Sequence, residues 1–211
     1  EGVVAARVDE NGKVGVLLEV NSETDFVARD ENFLGFVNDT VNEAFASRQT
    51  DVAVLAAARE SAREALVQKI GENISIRRVA LMEADVVACY IHGNKRIGVL
   101  VGLKGGDVAL AKDIAMHVAA SNPAVLSPDQ VSADLVAKEK EIFLALNAEK
   151  INGKPAEGVE KMVSGRIQEF LAEVSLLEQA FVKAPDVKIC DLAKKAGAEV
   201  VSFVRFEVGE G

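Results

Sequence analysis

Two segments of the sequence repeat the same order of predicted elements, and this repeat limits the fold more than any other feature. "VGVLLEV" from Val14 matches "IGVLVGL" from Ile97, and each follows a turn as the second strand of a predicted β-hairpin. "KIGENISIRRVALME" from Lys69 matches "KAGAEVVSFVRFEV" from Lys195, where a helix ends at Lys-x-Gly and a strand follows. The repeat predicts an α+β fold with two similar lobes, each a three-stranded antiparallel sheet with helices on one face.

The spacing of apolar residues places the remaining elements of each lobe. Helical spacing predicts helices over about 30–47, 51–70 and 107–121. A short helix is also predicted at about 189–196. The third strand of the first lobe is predicted at about 74–84, and the last strand of the chain at about 199–208. We expect the last strand to pair with the second hairpin rather than with the first.

The second copy of the repeat contains a long helical insertion. Helices predicted over about 132–151 and 155–172 are joined by Asn152-Gly153-Lys154-Pro155, so they should form an antiparallel helical hairpin. Their predicted apolar stripes are Leu135, Ile142 and Leu146 on the first helix and Val159, Val163, Phe170 and Val174 on the second. The predicted domains are 1–84 for the first lobe, 85–131 with 176–211 for the second lobe, and 132–175 for the coiled-coil-like hairpin.

The first copy contains an insertion of its own, "NSETDFVARD", where the second copy has the short turn "KGGD". In the second copy the hairpin connects to its helix without such a segment. The first copy therefore does not need the segment to make the same connection. Two interpretations of the segment remain open. Asp25 could be a local cap or Asx turn with Phe26 as a packing anchor, or Phe26 could be held out for a partner.

Charge and cysteine content limit the partners and the compartment. The net charge of −9 disfavours a phosphate backbone as a partner and favours a basic or mixed-charge protein. No apolar run is long enough to span a membrane. Cys89 and Cys190 lie far apart in apolar surroundings and are predicted to be reduced thiols, which fits a cytoplasm or a similar compartment.

The sequence has few features of an enzyme. It contains no recognisable nucleophile–base pair, no metal-ligand spacing and no phosphate-binding glycine loop, since "VGLKGGD" does not match that pattern. We therefore expect no enzymatic activity, no metal and no cofactor.

Several motifs, in order over nearly the whole chain, resemble one known family. They are "LLEVNSETDFVARDENF", "KIGENISIRR", "YIHGNKRIGVLV", "IAMHVAASNP", "KMVSGRIQEFLAEVSLLEQAFV" and "FVRFEVGEG". Together they resemble translation elongation factor Ts. The match covers the family's core and dimerisation region, and nothing in it corresponds to the family's N-terminal helical domain or to the final helix of many members.

The resemblance implies a guanine nucleotide exchange factor that promotes GDP release from the translational GTPase elongation factor Tu. It also implies which residues touch that partner, with Phe26 as a wedge near the Mg²⁺ and phosphate-binding elements. The candidate partner-binding residues are Thr24, Asp25, Phe26, Ile70, Gly71 and His92. Structural explanations remain open for three of them: a buried helix residue at Ile70, a helix C-cap at Gly71 and a hairpin-turn residue at His92.

The main alternative is a non-enzymatic structural or assembly protein that acts through its helical hairpin. A weaker alternative is a small-molecule enzyme that uses Asp25 and His92. The hairpin is also a candidate surface for a homodimer. No direct nucleic-acid or membrane partner is expected, and the predicted location is the bacterial cytoplasm or an organellar matrix.

Overall fold

The computed structural model describes residues 1–210, which form two compact units. One unit comprises Glu1–Ser121 together with the chain from Ala193, and the other comprises Asn122–Leu192. The three domains expected from the sequence remain a prediction. None of the helices in the described residues has both the length and the apolar character needed to cross a membrane.

The first unit begins with a three-stranded antiparallel sheet. Its strands are β1 (Gly2–Val8), β2 (Val14–Asn21) and β3 (Ser75–Glu83), and β2 lies in the centre. Between β2 and β3 the chain forms four helices: α1 (Asp25–Ala28), α2 (Glu31–Ser47), α3 (Val52–Ala58) and α4 (Glu60–Ile70). A buried core between helices and sheet includes Val16, Leu18, Phe33, Val41, Leu55 and Leu66.

The second sheet of this unit repeats the arrangement of the first. It comprises β4 (Val86–His92), β5 (Ile97–Lys104) and the last strand, β8 (Glu199–Glu207), in antiparallel pairs with β5 in the centre. Helix α5 (Val108–Ser121) packs on β4 and β5. The predicted α+β class and the predicted pairing of the last strand with the second hairpin are therefore confirmed.

The two sheets also pack against each other. Strand β2 is buried on both faces, because Leu18 points into the helical core while Leu17 belongs to the cluster between the sheets. This explains why β2 is almost continuously apolar rather than alternating. The buried residues between the sheets are Val4, Leu17, Met82, Val87, Leu100, Phe206 and Val208.

Equivalent glycines of the two hairpins mark the closest approach of the sheets. A Cβ atom on Gly15 would lie 3.1 Å from Leu100 Cδ2, and a Cβ atom on Gly98 would lie 2.9 Å from Leu17 Cδ1. Gly15 corresponds to Gly98 in the repeat, and Leu17 corresponds to Leu100. Each glycine therefore leaves space for the equivalent leucine of the other copy: Gly15 for Leu100, and Gly98 for Leu17.

Backbone hydrogen bonds between the hairpins show the same reciprocity. The N–H of Val4 donates to the carbonyl of Lys95 over 2.7 Å, and the N–H of Val87 donates to the carbonyl of Gly12 over 2.6 Å. Val4 and Val87 are equivalent in the repeat, and so are Gly12 and Lys95. The contacts between the two hairpins thus follow an approximate twofold relation.

The single helix predicted over 51–70 is wrong, because the chain breaks it at Arg59. Arg59 has φ −105° and ψ 4°, and it ends α3 and precedes α4. Its Nε donates to Thr40 Oγ1 over 3.1 Å, and its guanidinium lies 5.0 Å from the centre of the Phe36 ring. The side chain is thus engaged with α2, a tertiary contact that helical periodicity does not report.

The second unit contains the predicted helical hairpin with one interruption. Its helices are α6 (Ala133–Leu146), α7 (Ala148–Ile151) and α8 (Ala156–Val174). Helix α6 packs against α8, and Arg166 Nη2 binds Glu139 Oε1 across the pair over 2.8 Å. Asn147, with φ −113° and ψ 19°, separates α6 from α7.

The apolar stripe predicted for α6 does not form the contact face. Leu135, Ile142 and Leu146 are 39%, 43% and 80% exposed, whereas Glu139 and Phe143 are partly buried. The packed face of α6 is therefore offset from the predicted stripe and includes the charged Glu139, whose partner Arg166 lies on α8. Apolar periodicity does not predict such a face, because one of its packed residues is charged.

The second unit also contains short elements that were not predicted. Two 3₁₀ turns cover Pro128–Gln130 and Leu176–Glu178, and β6 (Ala180–Phe181) pairs with β7 (Ala184–Lys188). The short helix predicted at about 189–196 is confirmed as α9 (Ile189–Lys195). Buried side chains of this unit include Val163, Phe170, Leu176 and Phe181.

Candidate partner-binding site

The insertion after β2 folds into the single-turn helix α1, which leaves one aromatic ring in solvent. Thr24 is the N-cap residue, and its Oγ1 accepts a 3.4 Å hydrogen bond from the Val27 N–H. Val27 is 8% exposed and belongs to the helical core, whereas Phe26 is 77% exposed. Thr24 is therefore the cap instead of Asp25, and Val27 is the packing anchor instead of Phe26. The exposure of Phe26 agrees with the second interpretation of this segment.

Arg29 ends α1 and contacts the two exposed residues of that helix, Asp25 and Phe26. Its Nη2 lies 3.3 Å from Asp25 Oδ2, and its Nε donates to the Asp25 carbonyl over 3.3 Å. Its guanidinium carbon lies 5.8 Å from the centre of the Phe26 ring. Because these groups are well exposed, the contacts bias the orientation of the side chains and add little to stability.

A pair of reciprocal bonds ties α1 to the segment that contains Ile70 and Gly71. Thr24 donates its backbone N–H to Glu72 Oε1 over 3.0 Å and its hydroxyl to Glu72 Oε2 over 2.8 Å. In the other direction, the Asn73 N–H donates to Glu23 Oε2 over 2.9 Å. Two segments that are distant in sequence thus form one surface.

Ile70 and Gly71 stand at the end of α4, next to this link. Ile70 is half-buried and packs on the helical core. Gly71 is exposed and ends the helix with φ 86°, a left-handed conformation that favours glycine. The structural explanation of Gly71 as a C-cap is confirmed, and its exposure also leaves it open to a partner.

His92 is exposed at the end of β4, where Tyr90 Oη lies 3.1 Å from its Nδ1. The turn that follows it lines a cleft of about 520 Å³ together with Asp25 and Arg29 of the α1 region. Asp25 is the one predicted site residue in that lining. The other lining residues are Glu1, Gly2, Val3, Ala28, Leu34, Gly93, Asn94, Lys95 and Arg96.

Prediction from the sequence missed several residues of this region. Arg29, Glu72, Lys95 and Arg96 are polar side chains in turns or at helix ends, where a single sequence gives no sign of what they contact. For Glu72 a signal did exist, because the sequence match of the two copies places Ala198 opposite it. A carboxylate present only in the copy with the insertion is a candidate for contacting it.

A buried carboxylate supports β2 just before the insertion. Glu19 is fully buried and accepts bonds from Arg77 Nη1 (2.9 Å), Arg78 Nε (2.6 Å), Asn21 Nδ2 (2.8 Å) and the Gly209 N–H (3.0 Å). Burial alone would raise the pKa of Glu19. The hydrogen bonds from Asn21, Gly209, Arg78 and Arg77 outweigh burial and lower that pKa from its ordinary value.

Comparisons with known proteins identify the family of this chain. The family model described as elongation factor TS matches residues 23–210. Proteins named elongation factor Ts are 64% identical in Stutzerimonas stutzeri (strain A1501) and 63% identical in Azotobacter vinelandii (strain DJ / ATCC BAA-1303), each over 211 residues. Both alignments cover 100% of this chain, and they cover 72% and 73% of those relatives. On this evidence, the chain belongs to the elongation factor Ts family.

Proposed function

We propose that this chain is a guanine nucleotide exchange factor that promotes GDP release from elongation factor Tu. The observation that carries the proposal is the 77% exposure of Phe26 on α1, inside the segment that the family model matches. A large aromatic side chain in solvent contributes little to the free energy of folding. As a rigid anchor in a partner pocket it can contribute strongly to binding.

The exchange activity follows from differential binding. A factor that binds the nucleotide-free GTPase more tightly than the GDP-bound form must weaken GDP binding by the same coupling free energy. GDP in such GTPases depends on Mg²⁺ and on the amides of the phosphate-binding loop. Phe26 would enter the GTPase and displace these elements, so that GDP leaves while no covalent bond changes. The chain is accordingly not an enzyme in the chemical sense, and it needs no cofactor.

The other candidate residues have supporting roles in this proposal. Asp25 supplies charge and hydrogen-bond acceptors beside Phe26, and Thr24 caps α1. Ile70 and Gly71 lie at the end of α4 and His92 lies at the end of β4, and in this proposal they would brace adjacent helices of the GTPase. The cleft between α1 and the second hairpin turn gives the partner a concave surface next to Asp25.

The direct test is the release of fluorescent GDP from purified elongation factor Tu after addition of unlabelled GDP. The chain should accelerate release at catalytic amounts, and it should do so without chemical change to the nucleotide. An unchanged release rate at saturating chain would contradict the proposal. It would favour the alternative, a structural or assembly protein acting through its helical hairpin.

The hairpin is the surface we propose for a homodimer. Leu135, Ile142 and Leu146 are exposed on α6 and could be covered by a second copy. Sedimentation of the chain with serine at these three positions tests this, because a dimer built on them should dissociate. An unchanged sedimentation coefficient would exclude this face. We propose no nucleic-acid or membrane partner, in view of the net charge of −9.

The location is also a proposal. The relatives named above come from bacteria, which favours a bacterial cytoplasm over an organellar matrix.

A further inference from the structure

We propose that Glu72 is the positioning residue of the exchange site, because it fixes the cap of α1 and thereby the direction of Phe26. The inference rests on the proposed function for its effect on exchange. Its structural part concerns only the free chain. No partner contact of Glu72 itself is required.

The geometry at Thr24 explains how Glu72 acts. A threonine hydroxyl has one hydrogen and two lone pairs. Here the hydrogen is donated to Glu72 Oε2 over 2.8 Å, which leaves the oxygen free to accept from the Val27 N–H. The second carboxylate oxygen accepts the Thr24 backbone N–H over 3.0 Å. Glu72 therefore fixes both the rotation of the hydroxyl and the position of the backbone that carries it.

Helix α1 depends on such support because it has only four residues. A helix of one turn has no stability of its own in water, since its nucleation is unfavourable. The cap at Thr24 and the buried side chain of Val27 are attachments of the helix itself, while Ser22 Oγ binds the Thr24 carbonyl over 2.9 Å just before it. Loss of the cap would weaken the N-terminal turn that carries Phe26 and let its side chain sample other directions.

The repeat provides independent support. The second copy has no insertion between its hairpin and its helix, and its glycine is followed by Ala198 where Glu72 follows Gly71. Gly71 and Gly197 have similar φ values, 86° and 70°, but the connection that follows differs: three residues separate Gly71 from β3, and one separates Gly197 from β8. The copy with the insertion is thus also the copy with the longer connection, and that connection carries the carboxylate that binds Thr24.

The chain offers a matched control in Glu23. Its carboxylate accepts the Asn73 N–H over 2.9 Å and joins the same two segments, but it does not touch the hydroxyl that caps α1. Glu72→Ala and Glu23→Ala therefore each remove one carboxylate from one link. Only Glu72→Ala removes support from the cap.

The first experiment uses the free chain. The sequence contains no tryptophan, so Phe26→Trp introduces a single fluorophore at the tip of α1. We expect Glu72→Ala in this background to lower the fluorescence anisotropy through added nanosecond motion, with Glu23→Ala changing it much less. Equal anisotropy in the Glu72→Ala and parent proteins, with both folded by circular dichroism, would overturn the proposal.

The second experiment measures stimulated GDP release with phenylalanine restored at position 26. We expect Glu72→Ala to lower the maximal rate about fivefold, the factor that corresponds to the free energy a helix cap typically contributes, and to change the half-saturating concentration less. Glu72→Gln keeps one carbonyl acceptor and should recover part of the rate. In a double-mutant cycle, Thr24→Val should add little to Glu72→Ala, since both remove the same cap.

The outcomes separate this proposal from the proposed function. If the unmodified chain does not stimulate GDP release, the proposed function fails, while the anisotropy result still decides whether Glu72 orients α1. If the chain stimulates release but Glu72→Ala and Glu23→Ala lower the maximal rate equally, the two links are general tethers and the special role of Glu72 is excluded.

Discussion

The backbone N–H of Gly209 donates a 3.0 Å hydrogen bond to the carboxylate of Glu19, so the turn after the last strand is bound to the second strand of the chain. Two arginines of β3, Arg77 and Arg78, bind the same carboxylate. A charge in a fully buried position is stable only with such partners. The network therefore makes the junction of β2, β3 and the chain end sensitive to the ionisation of one group.

We expect this network to make stability depend on acid pH. The pKa of Glu19 is lowered from 4.5 in the folded chain, so its contribution is fully present above that value and is lost as pH falls through the folded-state pKa. Glu19→Gln should lower the unfolding free energy at neutral pH by about 3–5 kcal/mol. It should also reduce the loss of stability on acidification. Urea unfolding at several pH values measures both, and an unchanged pH dependence would contradict the role of Glu19.

Two phenylalanines in successive helices, Phe26 of α1 and Phe33 of α2, should respond in opposite ways. Phe26→Ala should leave the melting temperature nearly unchanged and slow stimulated GDP release by about 2 kcal/mol in activation free energy, as at an interface hot spot. Phe33 is fully buried, so Phe33→Ala should cost about 3–5 kcal/mol of stability with normal exchange per folded molecule. A large stability loss with normal exchange in Phe26→Ala would end the wedge hypothesis.

Substitution of Gly71 and of Gly197, the glycines that follow the matching helices of the repeat, distinguishes the effect of backbone strain from the loss of a partner contact. Gly71 (φ 86°) and Gly197 (φ 70°) both have open space where a Cβ atom would lie. Alanine at either position should cost about 1–2 kcal/mol from its left-handed conformation. Only Gly71→Ala should slow GDP release beyond this loss of stability. Comparable exchange rates for the two folded variants would remove Gly71 from the site.

The close approach of the sheets predicts opposite stability effects for alanine at Gly98, between the sheets, and at Gly35, on an open face of α2. A Cβ atom on Gly98 would clash with Val4 and Leu17, so Gly98→Ala should destabilise the chain by about 1–3 kcal/mol. Gly35 lies in α2 with nothing near its Cβ position, and Gly35→Ala should stabilise by about 0.5–1 kcal/mol. Thermal unfolding of both variants tests this, and a neutral Gly98→Ala would show that the sheets can separate slightly at no cost.

The repeat allowed much of the fold to be predicted, because strand pairing in one copy implies the same pairing in the other. The break at Arg59 could not be predicted in this way, since it coincides with contacts to Thr40 and Phe36 that are remote in sequence. For α6 the apolar residues suggested Leu135, Ile142 and Leu146, but the packed face includes the ion pair of Glu139 with Arg166. Apolar periodicity identifies only apolar contact residues. It cannot predict that a charged residue such as Glu139 packs in the contact face because it forms an ion pair.

The candidate site was predicted to a similar extent. The comparison of the two copies showed that the segment around Phe26 is an insertion, and this was enough to question a packing role. It could not show that Thr24 caps α1 or that Val27 is the anchor, because adjacent residues of a short helix point in different directions. The bonds from Thr24 to Glu72 depend on the approach of a segment 48 positions away.

The reciprocal contacts of Gly15 with Leu100 and of Gly98 with Leu17 have a consequence for assembly. They are the contacts of an isologous interface, in which one surface is complementary to a second copy of itself. A single hairpin with its third strand thus contains both halves of its own dimer interface. Joining the two copies in one chain makes their association independent of concentration. It also allows the copies to differ, so that only one of them carries the helix that displays Phe26.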